Sequence, residues 1–168
     1  RVVMVSSGSH HGSKLRLDDL NYHSREYEKF EGYGHAKLCA NLLGVEFSKR
    51  HAADGIVMNA VTPGGVMTAL GRHSNFEDAI RLGWINEDGT LPQGRLRNID
   101  EGAASPTWAA VAPELNGRGG LYVEDCEIAP FWTEALPPGW GVTRESLDPA
   151  DAARLWDLAY PAIQKAGL

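Results

Sequence analysis

The chain of 168 residues has no excess of basic charge. Its formal net charge is −6, which excludes nucleic acid as the expected partner, because polyanions are met by a basic patch or stripe. The densest basic segment, Arg95 to Arg97, reads as a solvated loop. No apolar run approaches the roughly 20 residues that a membrane-spanning helix requires. Cysteine is scarce too. Cys39 and Cys126 stand far apart without a CxxC spacing, so neither a zinc site nor a disulfide framework is expected, and the expected setting is a reducing cytoplasm. His10 and His11 adjoin, but in an extended segment they point to opposite sides and no third ligand is spaced for them, so no metal is expected. The chain also lacks an initiator Met and any signal-peptide pattern near Arg1. It enters an apolar run at once, and the expectation is a fragment of a longer protein.

What is present has a globular balance, 43% hydrophobic and 23% charged, which suits one domain spanning 1–168 with a buried core. The run from Arg1 to Val5 is continuously apolar after its first residue and rich in β-branching. That predicts a strand buried on both faces, as in a parallel sheet, ended by Ser6-Ser7-Gly8-Ser9. Residues 10–32 are polar without a sustained period and form a loop that can hold a short helix. From Tyr33 to Arg50 the pattern turns helical, with Leu38, Leu42 and Val45 on one stripe and Ala36, Ala40, Leu43 and Phe47 on another. Two stripes need two covers: the sheet, and either another element of the chain or a partner subunit. A homodimer through helix 33–50 is the expected assembly. Gly55 to Val61 predicts a second buried strand, stopped by Thr62-Pro63-Gly64-Gly65.

Further on, Ser74 to Leu82 predicts a short helix and Asn86 to Gly89 a turn. A helix over Ile99 to Ala112 is capped near Asn98 or Asp100 and kinked at Pro106. A short strand around Gly120 to Val123 precedes a final helix opened by Asp148-Pro149. This alternation is that of βαβ units, hence an α/β fold with a parallel sheet. An opening strand with nothing on its outer side would leave an apolar edge, so further strands upstream are expected.

Three features fall where strands end or a helix begins: the Ser6-Ser7 pair, Tyr33-Gly34-His35-Ala36-Lys37, and Pro63-Gly64-Gly65-Val66-Met67-Thr68. Singly each is weak, and a Tyr and Lys four apart on a helix can be a simple surface contact. Together they converge on the carboxyl ends of parallel strands, where open α/β sheets bind ligands.

These motifs resemble the short-chain dehydrogenases/reductases over essentially all of the chain, as the C-terminal half of that family's domain. Within the family the chain is most similar to the retinol dehydrogenase and WW-domain oxidoreductase branch. The residues that carry this are Ser6-Ser7-Gly8-Ser9-His10-His11, Tyr33 to Leu38, Gly119 to Tyr122 with Glu124-Asp125-Cys126, and Arg154-Leu155-Trp156.

The resemblance implies a partial doubly wound, Rossmann-like parallel sheet whose N-terminal nucleotide-binding strands are missing. It implies NAD or NADP as cofactor, Ser7, Tyr33 and Lys37 as catalytic residues, and contact with the cofactor by Tyr33, Lys37, Pro63, Gly64, Val66 and Thr68. The substrate would be a small apolar alcohol, aldehyde or ketone, with 10–32 and 76–84 shaping its pocket. The residue types suit such chemistry. A free Tyr hydroxyl titrates near 10 and serves as acid or base only with its anion stabilised, which a lysine one turn on provides. A serine hydroxyl can donate to the substrate oxygen as charge develops there. Ser6 and Ser9 are alternatives to Ser7, but Ser7 is the second of the pair and strand alternation sends Ser6 to the other face.

Missing from the family's pattern are the Gly-rich pyrophosphate loop, the residue that selects between NAD and NADP, and a fourth catalytic Asn, all expected upstream. Two other readings fit the same motifs: a sugar-nucleotide epimerase or dehydratase, and a truncated, non-catalytic interaction module.

Overall fold

The structure, a computed structural model, describes residues 1–69, 75–81, 83, 85–90 and 96–165. Its main sheet has four strands in the order β1 (Val2–Val5), β2 (Met58–Val61), β5 (Tyr122–Glu124) and β6 (Glu127–Ile128). The first three are parallel, with Val5 opposite Val61 and Val61 opposite Val123, while β6 runs back antiparallel to β5. A separate parallel pair joins β3 (Gly65–Val66) to β4 (Leu96–Arg97). The helices are α1 (Lys29–Arg50), α2 (Phe76–Arg81), α3 (Ile99–Val111) and α4 (Pro149–Lys165). The result is a mixed α/β fold with a parallel sheet. Among the described residues no helix is long and apolar enough to cross a membrane.

Among the described strands only β2 is buried along its whole length; it lies between β1 and β5 and under helix α1. The expectation that β1 is buried on both faces fails: its residues are half-buried and Val5 is 49% exposed, since among the described residues β1 is an edge strand. On one face of the sheet Val61 and Val123 pack with Ala109 of α3 and with Leu115. Helix α1 covers the other face. Its first turn lies earlier than the apolar pattern predicts, at Lys29 rather than Tyr33, because the Glu28 carboxylate accepts from the amides of Phe30 and Glu31 and caps the helix there. Leu38 and Leu42 are buried with Ala152 and Leu155 of α4 and flanked by Leu15, Leu17 and Leu20. The second cover for α1 thus comes from within the chain, and burying these leucines needs no partner subunit.

Helix α3 opens with a reciprocal capping box, Asn98 and Glu101 each accepting from the other's backbone amide. It continues unbroken through Pro106, which leaves the carbonyl one turn back without its helical donor. The short helix α2 is present, with positions 74 and 82 outside the described residues. The turn at Asn86 to Gly89 is closed by the Gly89 amide on the Asn86 carbonyl. Helix α4 begins at Pro149, and the Asp148 carboxylate accepts from the amides of Ala150 and Asp151. The sequence reading missed the β5–β6 hairpin. Its two-residue turn, Asp125-Cys126, takes positive φ at both residues (50° and 59°), a turn usually signalled by Asn-Gly.

Helix α1 is fastened to β2 by one hydroxyl. Ser48 Oγ accepts from the Met58 amide at 2.9 Å and lies 2.8 Å from the carbonyls of Gly44 and Met58, with one proton to give to either. It supplies the acceptor that no strand offers at the start of β2. Ser48→Ala is expected to lower the unfolding free energy by about 1–3 kcal/mol, the cost of leaving a buried amide unpaired. Chemical denaturation measures this, and an unchanged midpoint contradicts it.

Candidate active site at the carboxyl ends of the parallel strands

Where β1 ends, the ladder continues for one more bond, from the Ser6 amide to the Val61 carbonyl. The side chains then diverge. Ser6 turns inward, and its buried hydroxyl donates to the Lys37 carbonyl at 3.4 Å. In return, the Lys37 ammonium donates to the Val5 carbonyl at 3.0 Å and lies 5.3 Å from the centre of the Tyr33 ring. Ser7 is half-buried on the opposite side of the backbone. Its hydroxyl accepts from the Ser9 amide at 3.2 Å and donates to the Ser9 hydroxyl at 3.1 Å. Ser7 also caps a 3-10 turn, Gly8–Gly12. Gly34 lets α1 come against that turn, because a Cβ there would stand 2.6 Å from the Ser9 carbonyl oxygen and 2.4 Å from Ser13 Oγ. Ser7, Tyr33 and Lys37 are therefore gathered around the end of β1.

The loop after β2 leaves the adjacent strand end. Gly64 has φ +77°, and its amide donates to Thr62 Oγ1 at 3.2 Å. Pro63 and Val66 are half-buried, while Gly64 and Thr68 are exposed. Val66 is wedged against α3, where a Cβ on Gly102 would stand 2.5 Å from its side chain. Behind the loop lies Arg97. It donates to the Pro63 carbonyl at 3.3 Å, is ion-paired with Asp125, and sits so close to Gly64 that a Cβ there would be 2.9 Å from the guanidinium carbon. The expectation of a solvated loop at Arg95 to Arg97 is corrected for Arg97, which is partly buried and paired because β4 brings it beneath β3. Arg95 lies outside the described residues.

Several contributors were not legible in the sequence. His10 and His11 do not point apart. The 3-10 turn sets their rings 4.5 Å from centre to centre, and each is engaged by the segment that follows β6. His11 Nε2 meets the Gly141 carbonyl at 3.1 Å, and its ring packs against Trp132. His10, 1% exposed, meets the Ser7 carbonyl through Nδ1 at 2.7 Å and the Thr143 amide through Nε2 at 3.4 Å. Burial pushes its imidazole down to about 4, with His11 adding to the effect and the Ser7 bond opposing it. His35, buried in α1, is likewise held below its usual value by desolvation, and it accepts from the Arg16 amide at 3.2 Å. Beneath the turn, burial raises the Tyr122 phenol and the Glu124 carboxyl, the latter accepting from the Gly141 amide at 2.7 Å. Gly8 lies against Gly139, so the 131–141 segment, with Phe131, Trp132 and Trp140 partly exposed, forms a wall beside the Ser7 turn. Burial pushes the Cys39 thiol up to about 11, away from the thiolate form. Among the described residues no group of three or more His, Cys, Asp or Glu is placed to hold a metal ion.

With this geometry the chain can be compared with known proteins. It is 36% identical over 159 residues to a probable oxidoreductase of Streptomyces lividans, covering 94% of this chain and 53% of that protein. It is 35% identical over 163 residues to a short-chain dehydrogenase/reductase of Penicillium roqueforti, covering 97% and 46%. The chain is a homologue of the short-chain dehydrogenases/reductases. This homologue is also 32% identical over 173 residues to the WW domain-containing oxidoreductase of Danio rerio, covering 98% of this chain and 37% of that one. It spans about half the length of the first curated relatives it matches. A solved structure of an uncharacterized protein from Mycobacterium paratuberculosis is similar with a TM-score of 0.58 and 26% identity, over 96% of this chain and 49% of that one. No family model matches the chain.

The depressed histidines of this short-chain dehydrogenase/reductase homologue make its stability depend on pH with a definite sign. Folded His10 stays neutral to about 4, while the unfolded imidazole, near 6.5, takes a proton as pH falls. Its contribution is thus whole above about pH 6.5 and is lost progressively toward about 4. The unfolding free energy is expected to fall across that window, with a shallower fall in His10→Asn. Equal slopes for the two proteins contradict the assignment.

Proposed function

We propose that the chain is the reactive half of an NAD- or NADP-dependent oxidoreductase that interconverts an alcohol with an aldehyde or ketone through Ser7, Tyr33 and Lys37. In this reading residues 1–168 form the C-terminal half of one Rossmann-like domain, and the protein works in the cytoplasm. The observation that carries it is the Lys37 ammonium, held by the Val5 carbonyl at the end of a parallel strand and beside the Tyr33 ring, with the Ser7 hydroxyl leaving the same strand end.

A nicotinamide ring with its carboxamide suits the loop after β2. Gly64 and Gly65 are exposed and carry no side chain, and Arg97 holds the loop from behind through the Pro63 carbonyl. Pro63, Gly64, Val66 and Thr68, with Tyr33 and Lys37, would hold that half of the dinucleotide. When bound, the dinucleotide would supply the hydride in reduction and accept it in oxidation. The Ser7 hydroxyl turns its proton from Ser9 to the substrate oxygen and stabilises the charge that grows there. Tyr33 gives its proton to that oxygen in reduction and takes it back in oxidation. Lys37 stabilises the negative charge left on the phenol oxygen and keeps a further donor for the cofactor ribose. The aromatic side chains at Phe131, Trp132 and Trp140 favour a small apolar substrate. A homodimer through α1 would use its Ala36, Ala40, Leu43 and Phe47 side, which runs from exposed to half-buried.

In the full-length protein, Tyr33→Phe is expected to lower kcat by roughly 10²–10⁴-fold, the usual contribution of a positioned acid or base, while the dinucleotide Kd stays within about threefold. Steady-state kinetics and calorimetric titration check this. Near-normal turnover in the variant overturns the reading.

A further inference from the structure

We propose that His10 is a positioning residue that orients Ser7 by tying its carbonyl to the segment around Thr143, an inference that rests on the catalytic reading of Ser7. The two ring nitrogens of His10 have backbone partners of opposite kind. The Ser7 carbonyl can only accept, so Nδ1 donates to it at 2.7 Å; the Thr143 amide can only donate, so Nε2 accepts from it at 3.4 Å. The ring is therefore neutral, with its proton on Nδ1. It cannot swing away, being 1% exposed and packed between the rings of Tyr122 at 5.0 Å and His11 at 4.5 Å.

This bond acts on the group that sets where Ser7 points. The Ser7 carbonyl also receives the His10 amide at 3.3 Å, so its peptide plane is held by two donors. Fixing that plane fixes ψ of Ser7, here 149°, and with it the direction of the Cα–Cβ bond that carries the hydroxyl. The anchor is itself held. Gly141, two residues before Thr143, takes His11 Nε2 on its carbonyl and gives its amide to Glu124 on β5, while Gly139 lies against Gly8. His10 thus ties the catalytic turn to the 139–143 segment and through it to the sheet.

The two nitrogens can be tested separately, because an Asn amide reaches the place of Nδ1 and a Gln carbonyl the place of Nε2. In the full-length protein His10→Ala is expected to lower kcat at least ~10-fold, as a misdirected hydroxyl would. His10→Asn, which can still donate to the Ser7 carbonyl, is expected to recover kcat to within about threefold of wild type. His10→Gln, which keeps only the Thr143 bond, is expected to stay as low as Ala. All three should keep the wild-type dinucleotide Kd. Equal losses in Asn and Gln, or a Gln variant with wild-type kcat, overturn the proposal. If the variants do not fold, nitrogen-15 NMR of the histidines in the wild-type protein decides: a protonated Nδ1 with a bare Nε2 is expected at neutral pH, and the opposite tautomer overturns the assignment. Ser7→Ala and Tyr33→Phe in the same assay separate the failures. If those two are inactive while the Gln variant is not, only the role of His10 falls; if they are fully active, the catalytic reading falls with it.

Discussion

The site depends on one reciprocal tie between the end of β1 and the third turn of α1. Ser6 donates its hydroxyl to the Lys37 carbonyl, and Lys37 returns its ammonium to the Val5 carbonyl. Neither bond is strong by itself, each worth about 0.5–3 kcal/mol net depending on charge. Their effect is geometric, since they set how far along the strand the helix sits and which way it is turned. Tyr33, one turn before Lys37, is carried to the strand end with it. Gly34 permits the same approach from the other side, where any Cβ would collide with the Ser9 carbonyl. Had the helix been displaced by one residue, the Ser7 turn and the phenol would no longer share a strand end.

Much of this was legible in the sequence because the relevant signals are local. The apolar stripes of α1, the Pro-Gly stop after β2 and the Asp148-Pro149 opening of α4 each rest on neighbours a few residues apart. So does the alternation that sends Ser6 inward and Ser7 out. What could not be read depends on contacts across the chain. The true start of α1 rests on the Glu28 carboxylate folding back as a cap, in a segment whose composition looks like loop. The half-exposure of β1 follows from its place at the sheet edge, which its apolar composition hides. The Asp125-Cys126 turn carries no glycine to announce it. Arg97 looked solvated because its partner, Asp125, is 28 residues away.

His10 shows the same limit most clearly. A histidine pair after a strand has no periodic signature, and both rings are turned toward backbone groups more than 100 residues further on. Composition and spacing mark which residues can do chemistry. Partners across the chain hold several of them: Ser6 by α1, and His10 by the Ser7 peptide and Thr143, while Cys39 is largely buried. In the proposed reading the residues that act at the strand end are Ser7, Tyr33 and Lys37.

The central claim is that this strand end holds a carbonyl substrate where a bound nicotinamide would deliver hydride to its carbon. The direct measurement is to give the full-length protein NADH and NADPH deuterated at the nicotinamide C4 position, with a panel of small apolar aldehydes and ketones, and to read the alcohol products by mass spectrometry. The account predicts one deuterium on the carbinol carbon of at least one product. Binding of the dinucleotide with no label in any alcohol would contradict it.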